Sequence, residues 1–218
     1  MGAFAANLRA HGGKPTEIAS ISIDMSPAFI KGVQEHFPKA QITFDKFHVI
    51  AHASEAITTM RREEQQRDPS LKGLRWVLLK DRSKLTRSQL TELDGLLSRM
   101  TTTRTACSWH YCEQLREIRN CKQPTVVARL LNGWCSNVLL SKVEPMKRVA
   151  EMIRSHFHCV LAWAHSRETN GFTEGINGLF QAAKREARGY IRFRTIRTVI
   201  FMIAGKLNFS RINPYVAA

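Results

Sequence analysis

The stretch EIASISIDMSPAFIKGVQEHFPKAQITFD, residues 17–45, decides the fold. Its opening run, EIASISID, alternates apolar with small polar residues and closes on Asp24, the pattern of a strand that delivers a carboxylate at its end. Ser26 and Pro27 then supply an N-cap and a first-turn proline, and Phe29, Ile30, Val33 and Phe37 recur at helical spacing. Pro38 ends that helix. In AQITFDKFHVI, residues 40–50, Ile42 and Phe44 alternate with Thr43 until Asp45 closes a second strand. Two strands joined by one helix make a βαβ unit, with parallel strands and a right-handed crossover.

Towards the amino terminus, AFAANLRAH (residues 3–11) reads as a short helix broken by Gly12 and Gly13. From His48 onward, strand signals stop. Val49, Ala53, Ala56 and Met60 form one helical stripe, and the charged run MRREEQQRDPS (residues 60–70) is expected to carry that helix into solvent until Pro69 breaks it. Thr86 and Gln89 have capping-box spacing ahead of Leu90, Leu93, Leu97 and Met100. Pro145 opens another helix, with Met146, Val149, Ile153 and Phe157 facing inward. The middle of the chain is thus all-helical, with no low-complexity linker and no internal repeat.

A last helical pair follows. In TNGFTEGINGLFQAAKREARGY (residues 169–190), Ile176, Phe180, Ala183 and Ala187 make an apolar seam, opposite Glu174, Asn177 or Gly178, Gln181, Lys184 or Arg185, and Arg188. Gly189 reads as the left-handed stop, and Phe193, Ile196, Ile200, Ile203 and Leu207 stay in register beyond it. Taken alone, Glu174 is an acid favoured by the dipole of a helix's first turn, and the bases after it can be a solvated face.

Composition narrows the class. At 218 residues, 44% of them apolar, the chain can bury the core of one large domain or two small ones. Lys and Arg number 33 against 18 Asp and Glu, a net +15, which favours a polyanionic partner, nucleic acid first. Five cysteines (Cys107, Cys112, Cys121, Cys135, Cys159) at uneven spacings, with no C-x-x-C pair, indicate neither a disulfide framework nor a zinc ribbon. Cys107, His110 and Cys112 match no usual finger spacing, so buried thiols in a reducing cytoplasm are expected. The longest apolar run, TVIFMIAG (residues 198–205), is far shorter than a membrane span requires, and a soluble protein is expected.

One order of parts emerges: a strand ending in Asp24, a helix, a parallel strand, a long helical block, and a helix led by Glu174 and continued by cations. The segments SIDMSPAF, AQITFDKFHVI, LRWVLLKDRSKLT, WCSNV, SKVEPMKR, TNGFTEGINGLFQAAKREARGY and TVIFMIAGKLNFSRINP together resemble the DDE-type transposases of bacterial insertion sequences, specifically the ISL-three family, from near residue 5 to the end. The resemblance implies a helix-rich α/β fold: an incomplete ribonuclease-H-like core interrupted by a large all-helical insertion. Residues 1–66 would be the partial core, 67–165 the insertion, and 166–218 the carboxy-terminal core helices.

It also implies chemistry. Asp24 aligns with the family's second acid and Glu174 with its third, as ligands for Mg²⁺ (or Mn²⁺) in DNA strand cleavage and transfer. Asp45 stands where the family has an acid in its D-x-F-H motif. Its role is open between catalytic support and a structural carboxylate bonding His48 or a loop backbone. His48 itself reads first as a packing histidine. Lys184, Arg185 and Arg188 would clamp phosphates, Asn177 would hydrogen-bond the backbone or orient Glu174, and Arg192 and Arg194, interleaved with Tyr190 and Phe193, would suit a partly unpaired DNA end. The implied partners are insertion-sequence ends and target DNA, a second protomer or a complementing transposase chain, and no membrane. A nucleoid-associated cytoplasmic location follows.

One part of the pattern has no counterpart here. The family's first acid ends an opening strand upstream of the helix with which this chain starts, and in residues 1–23 the one acid, Glu17, precedes a strand. The expectation is therefore a carboxy-terminal portion of a transposase, inactive alone. The alternative is a noncatalytic DNA-binding or assembly module that regulates a full-length transposase.

Overall fold

A computed structural model describes residues 1–99, 103–166 and 171–205. They fall into two compact units, Met1–Thr169 and Asn170–Ala218.

The first unit opens with α1 (Gly2–Ala10), which Gly12 ends at φ 82°, followed by a 3-10 turn at Pro15–Glu17. β1 (Ser20–Ile23), α2 (Pro27–His36) and β2 (Gln41–Phe44) then form the expected βαβ unit. The strands pair in parallel, with Ser20 opposite Gln41 and Ile23 opposite Phe44. Pro27 occupies the first turn of α2, but the Ser26 side chain makes no cap bond. Val33 and Phe37 are completely buried with Ile23, Phe44 and Ala5, whereas Phe29 is 45% exposed and lies outside that small core. Burying a phenylalanine such as Phe37 contributes about 2–3 kcal/mol.

The helical block is built on α3 (Lys46–Gln65), which packs against α6 (Arg104–Asn120) and α8 (Glu144–Ser155). Between them run a 3-10 turn at Pro69–Leu71, α4 (Arg75–Leu79), a second 3-10 turn at Arg82–Lys84, and α5 (Arg87–Leu97). α7 (Pro124–Leu139) packs on both α6 and α8. Val49, Ala53, Ala56 and Met60 are all buried in the large core, as their spacing predicts. The Thr86–Gln89 capping box is formed in both directions. The inward positions of α5 are Leu93 and Leu96, with Leu97 only half-buried, one step off the expected stripe; Met100 lies outside the described residues.

Two expectations need correction. The charged run after Met60 reaches solvent only in part: Arg62, Glu63, Gln66 and Arg67 are exposed, but Arg61 and Glu64 are tied to the helical block. Arg61 is buried and donates to Leu71 O at 3.4 Å, and the Glu64 carboxylate takes the Arg104 and Thr105 backbone N–H groups at 2.8 and 2.7 Å, capping α6 from another helix. The helix opened by Pro145 also stops at Ser155, and after a break at His156 α9 (Phe157–Ser166) begins. That break turns α9 onto β2, where the His156 ring meets Phe44 edge-on at 5.3 Å and Cys159 and Val160 join the small core.

The second unit comprises α10 (Gly171–Glu186) and α11 (Phe193–Ala204). Ile176, Phe180 and Ala183 are half-buried, but Ala187 is exposed. The end of α10 departs from expectation by one residue. Arg188, at φ 53°, takes the left-handed position ahead of Gly189 at φ 99°. Gly189 N–H donates to Lys184 O at 2.8 Å and Arg188 N–H to Arg185 O at 3.0 Å, which together make a Schellman motif with arginine at its left-handed site. Leu207 lies outside the described residues.

Candidate functional site

The parallel register carries Asp24 and Asp45 off the carboxyl ends of β1 and β2 as neighbours, one residue beyond the Ile23–Phe44 pair. Asp45 N–H still donates to Ile23 O, at 3.4 Å. In open α/β sheets this edge is where ligands bind, because the strands end there and the following helices start.

Each carboxylate is oriented by its own backbone. Asp24 Oδ1 accepts from Ser26 N–H at 3.1 Å, and Asp45 Oδ1 accepts from Phe47 N–H at 2.8 Å as the N-cap of α3. Asp24 is half-buried and Asp45 fully buried. The loop-backbone bond foreseen for Asp45 is therefore present, and His48 N–H donates to Asp45 O at 3.1 Å.

Alternation along the strands puts Ser22 on the side of Asp24 and Thr43 on the side of Asp45, and the two hydroxyl residues face each other in the ladder. Ser22 Oγ, Thr43 Oγ1 and His48 Nδ1 are all buried without a hydrogen-bond partner among the described residues. A buried polar atom with no partner is costly, so three beside a carboxylate pair mark a place suited to a polar guest. Two aspartates and hydroxyls offer hard oxygen donors, the set that Mg²⁺ or Mn²⁺ prefers. This donor chemistry fits a divalent cation.

A model of the DDE transposase family ISL3, described as transposase, matches residues 1–200. The chain belongs to the ISL3 transposase family. The transposase for insertion sequence element IS1001 of Bordetella parapertussis is similar to it, at 28% identity over 186 residues covering 82% of this chain and 45% of that protein. The chain thus spans about half the length of this curated relative. No solved structure matches. DDE transposases generally use a divalent metal and act on DNA.

The remaining residues singled out in this ISL3 chain lie in the second unit. Glu174 is exposed in the first turn of α10, and Asn177, Lys184 and Arg185 are exposed further along that helix. Arg188 is exposed at the left-handed turn, Arg192 is the N-cap residue of α11, and Arg194 lies in its first turn. The two aromatics differ. Tyr190 is half-buried and its hydroxyl donates back to Ala183 O at 3.4 Å, whereas Phe193 is 80% exposed.

Cys112 and Cys135 are fully buried, and burial pushes both thiols up, Cys135 to about 11. No helix among the described residues is long and apolar enough to cross a membrane.

Proposed function

We propose that the chain is the part of an insertion-sequence transposase that supplies the second and third acids of a metal-dependent DNA strand-transfer site, Asp24 and Glu174. The supporting observation is that Asp24 leaves the first of two parallel strands beside a second buried aspartate, in a chain whose residues 1–200 match the family. The reading includes a ribonuclease-H-like core formed by residues 1–66 and 166–218, with residues 67–165 as a helical insertion.

A divalent cation bound there, Mg²⁺ or Mn²⁺, supplies the Lewis acid for in-line displacement at phosphorus. Asp24 is held for the task by Ser26 N–H. Asp45, as the cap of α3, fixes the end of β2 and with it the position of its neighbour. In this reading Lys184, Arg185 and Arg188 neutralise phosphates flanking the scissile bond, Asn177 hydrogen-bonds the DNA backbone, and Arg192 and Arg194 continue the track. Phe193 is the aromatic free to stack on an unpaired base, since Tyr190 is folded against α10.

In this reading the first acid is supplied by another segment or a complementing chain, including a second protomer. Glu17 sits in the exposed 3-10 turn ahead of β1, paired with Lys14 at 2.8 Å, and not at a strand end. Two carboxylates without the third bind metal weakly, so residues 1–218 alone are expected to bind DNA without nicking it.

The exposure of the α10 cations, independent of any acid, favours a second reading: a noncatalytic DNA-binding or assembly module regulating a full-length transposase. Complementation separates the two. A chain carrying the upstream acid, mixed with this one, restores Mg²⁺-dependent nicking of insertion-sequence end DNA in the first reading, and Glu174→Gln abolishes it. In the second, nicking is absent from the mixture while DNA binding persists.

A further inference from the structure

Within the first unit, one surface of the helical block combines an exposed indole with positive charge that has no acidic partner among the described residues. Trp76, on α4, is 64% exposed, while Trp109, Trp134 and Trp163 are 4%, 3% and 5% exposed. The Arg75 guanidinium lies over its ring, 4.9 Å from the centroid. Lys72, Arg75, Lys84 and Arg87 are exposed on the same segment and make no ion pair among the described residues. The one acid between Lys72 and Arg87 is Asp81, whose carboxylate is taken by the Ser83 hydroxyl and N–H at 2.7 and 3.0 Å.

The segment is fixed from beneath. Two buried arginines of the α3–α6 pair hold its carbonyls: Arg61 donates to Leu71 O at 3.4 Å, and Arg116 to Leu79 O and Lys80 O at 3.1 and 3.3 Å. Val77 and Leu78 are buried between these anchors, and Gly73 makes the turn at φ 87° that a side chain would resist. Trp76 is therefore presented outward on a rigid base, so little ordering entropy is lost when a ligand settles on it.

A polyanion whose units carry flat π-faces satisfies both halves of this surface, because phosphates meet the cations and a base stacks on the indole. We propose that Lys72–Arg87 is a second DNA-contacting surface, on which Trp76 stacks against an unpaired base. This rests on the reading that the chain handles DNA, but uses none of the α10–α11 residues.

Trp76 is the one exposed tryptophan, so intrinsic fluorescence reports on it directly. Titration of residues 1–218 with a short oligothymidylate should quench that fluorescence and shield it from iodide. Trp76→Leu, a surface change that leaves the melting temperature in place, should abolish the quench and weaken binding of the labelled oligonucleotide about tenfold. Charge reversal at Lys72 and Lys84 should lower affinity and flatten its salt dependence by roughly 0.7 per cation removed. Reversal at Lys184, Arg185 and Arg188 should leave the quench intact, which separates this surface from the other. An unquenched wild type at saturating oligonucleotide, or equal affinity in Trp76→Leu, overturns the proposal. Absence of binding at low salt to either single strand or duplex removes the DNA reading as well.

Discussion

Asp24 and Asp45 stand side by side because β1 and β2 run parallel with Ile23 opposite Phe44, yet their carboxylates have different local duties. Asp45 is buried and caps a twenty-residue helix, whereas Asp24 is half-buried and orders only a turn. Asp45→Ala should therefore cost about 1–2 kcal/mol of stability, and Asp24→Asn less than about 0.5 kcal/mol, as read from urea melts. Equal costs would mean that Asp24 is a structural residue too.

Glu64 provides the pH test. Burial raises its pKa, but hydrogen bonds from Thr105 and Arg104 outweigh that and hold it below the usual carboxylate range. Because the folded-state pKa is depressed, the contribution is complete above the unfolded-state value and is lost as pH falls through the folded one. Glu64→Gln should be less stable than wild type at neutral pH, with the gap closing in melts taken under progressively more acid conditions. A gap that widens on acidification contradicts this assignment.

Arg188 holds a left-handed conformation that costs a non-glycine residue about 1 kcal/mol. Arg188→Gly should relieve it and slow hydrogen exchange at the end of α10, while weakening DNA binding through the lost cation. Such opposed effects would show strain retained for function.

The thiols give a simple accessibility check. Cys112 and Cys135 are fully buried with raised pKa values, so a thiol reagent near pH 8 should leave both unmodified in the native chain and reach all five cysteines only after unfolding.

What was legible in the sequence was local. Asp24 and Asp45 close their strands as the alternation says, and the Thr86–Gln89 box caps its helix, since neighbouring residues decide both. Distant partners decided the rest. Arg61 and Glu64 look like solvent residues until Leu71, Arg104 and Thr105 are brought to them. The apolar spacing from Ile153 to Phe157 continues through a break made by the packing of α9 on β2. The outward position of Trp76 in LRWVLL follows from the burial of its neighbours Val77 and Leu78. For Asp24 the strand end was legible, but the buried hydroxyls of Ser22 and Thr43 beneath it, without a partner among the described residues, were not.

The central claim, that Asp24 and Glu174 serve one divalent cation, is tested most directly by iron-driven backbone cleavage. In a mixture with the chain that carries the upstream acid, Fe²⁺ in place of Mg²⁺, with ascorbate and peroxide, cuts the backbone beside its ligands, and mass spectrometry locates the cuts. The account predicts cuts next to both Asp24 and Glu174 that excess Mg²⁺ suppresses and that either Asp24→Asn or Glu174→Gln removes at both places. Cuts at neither position, or cuts at one that persist when the other acid is neutralised, would contradict it.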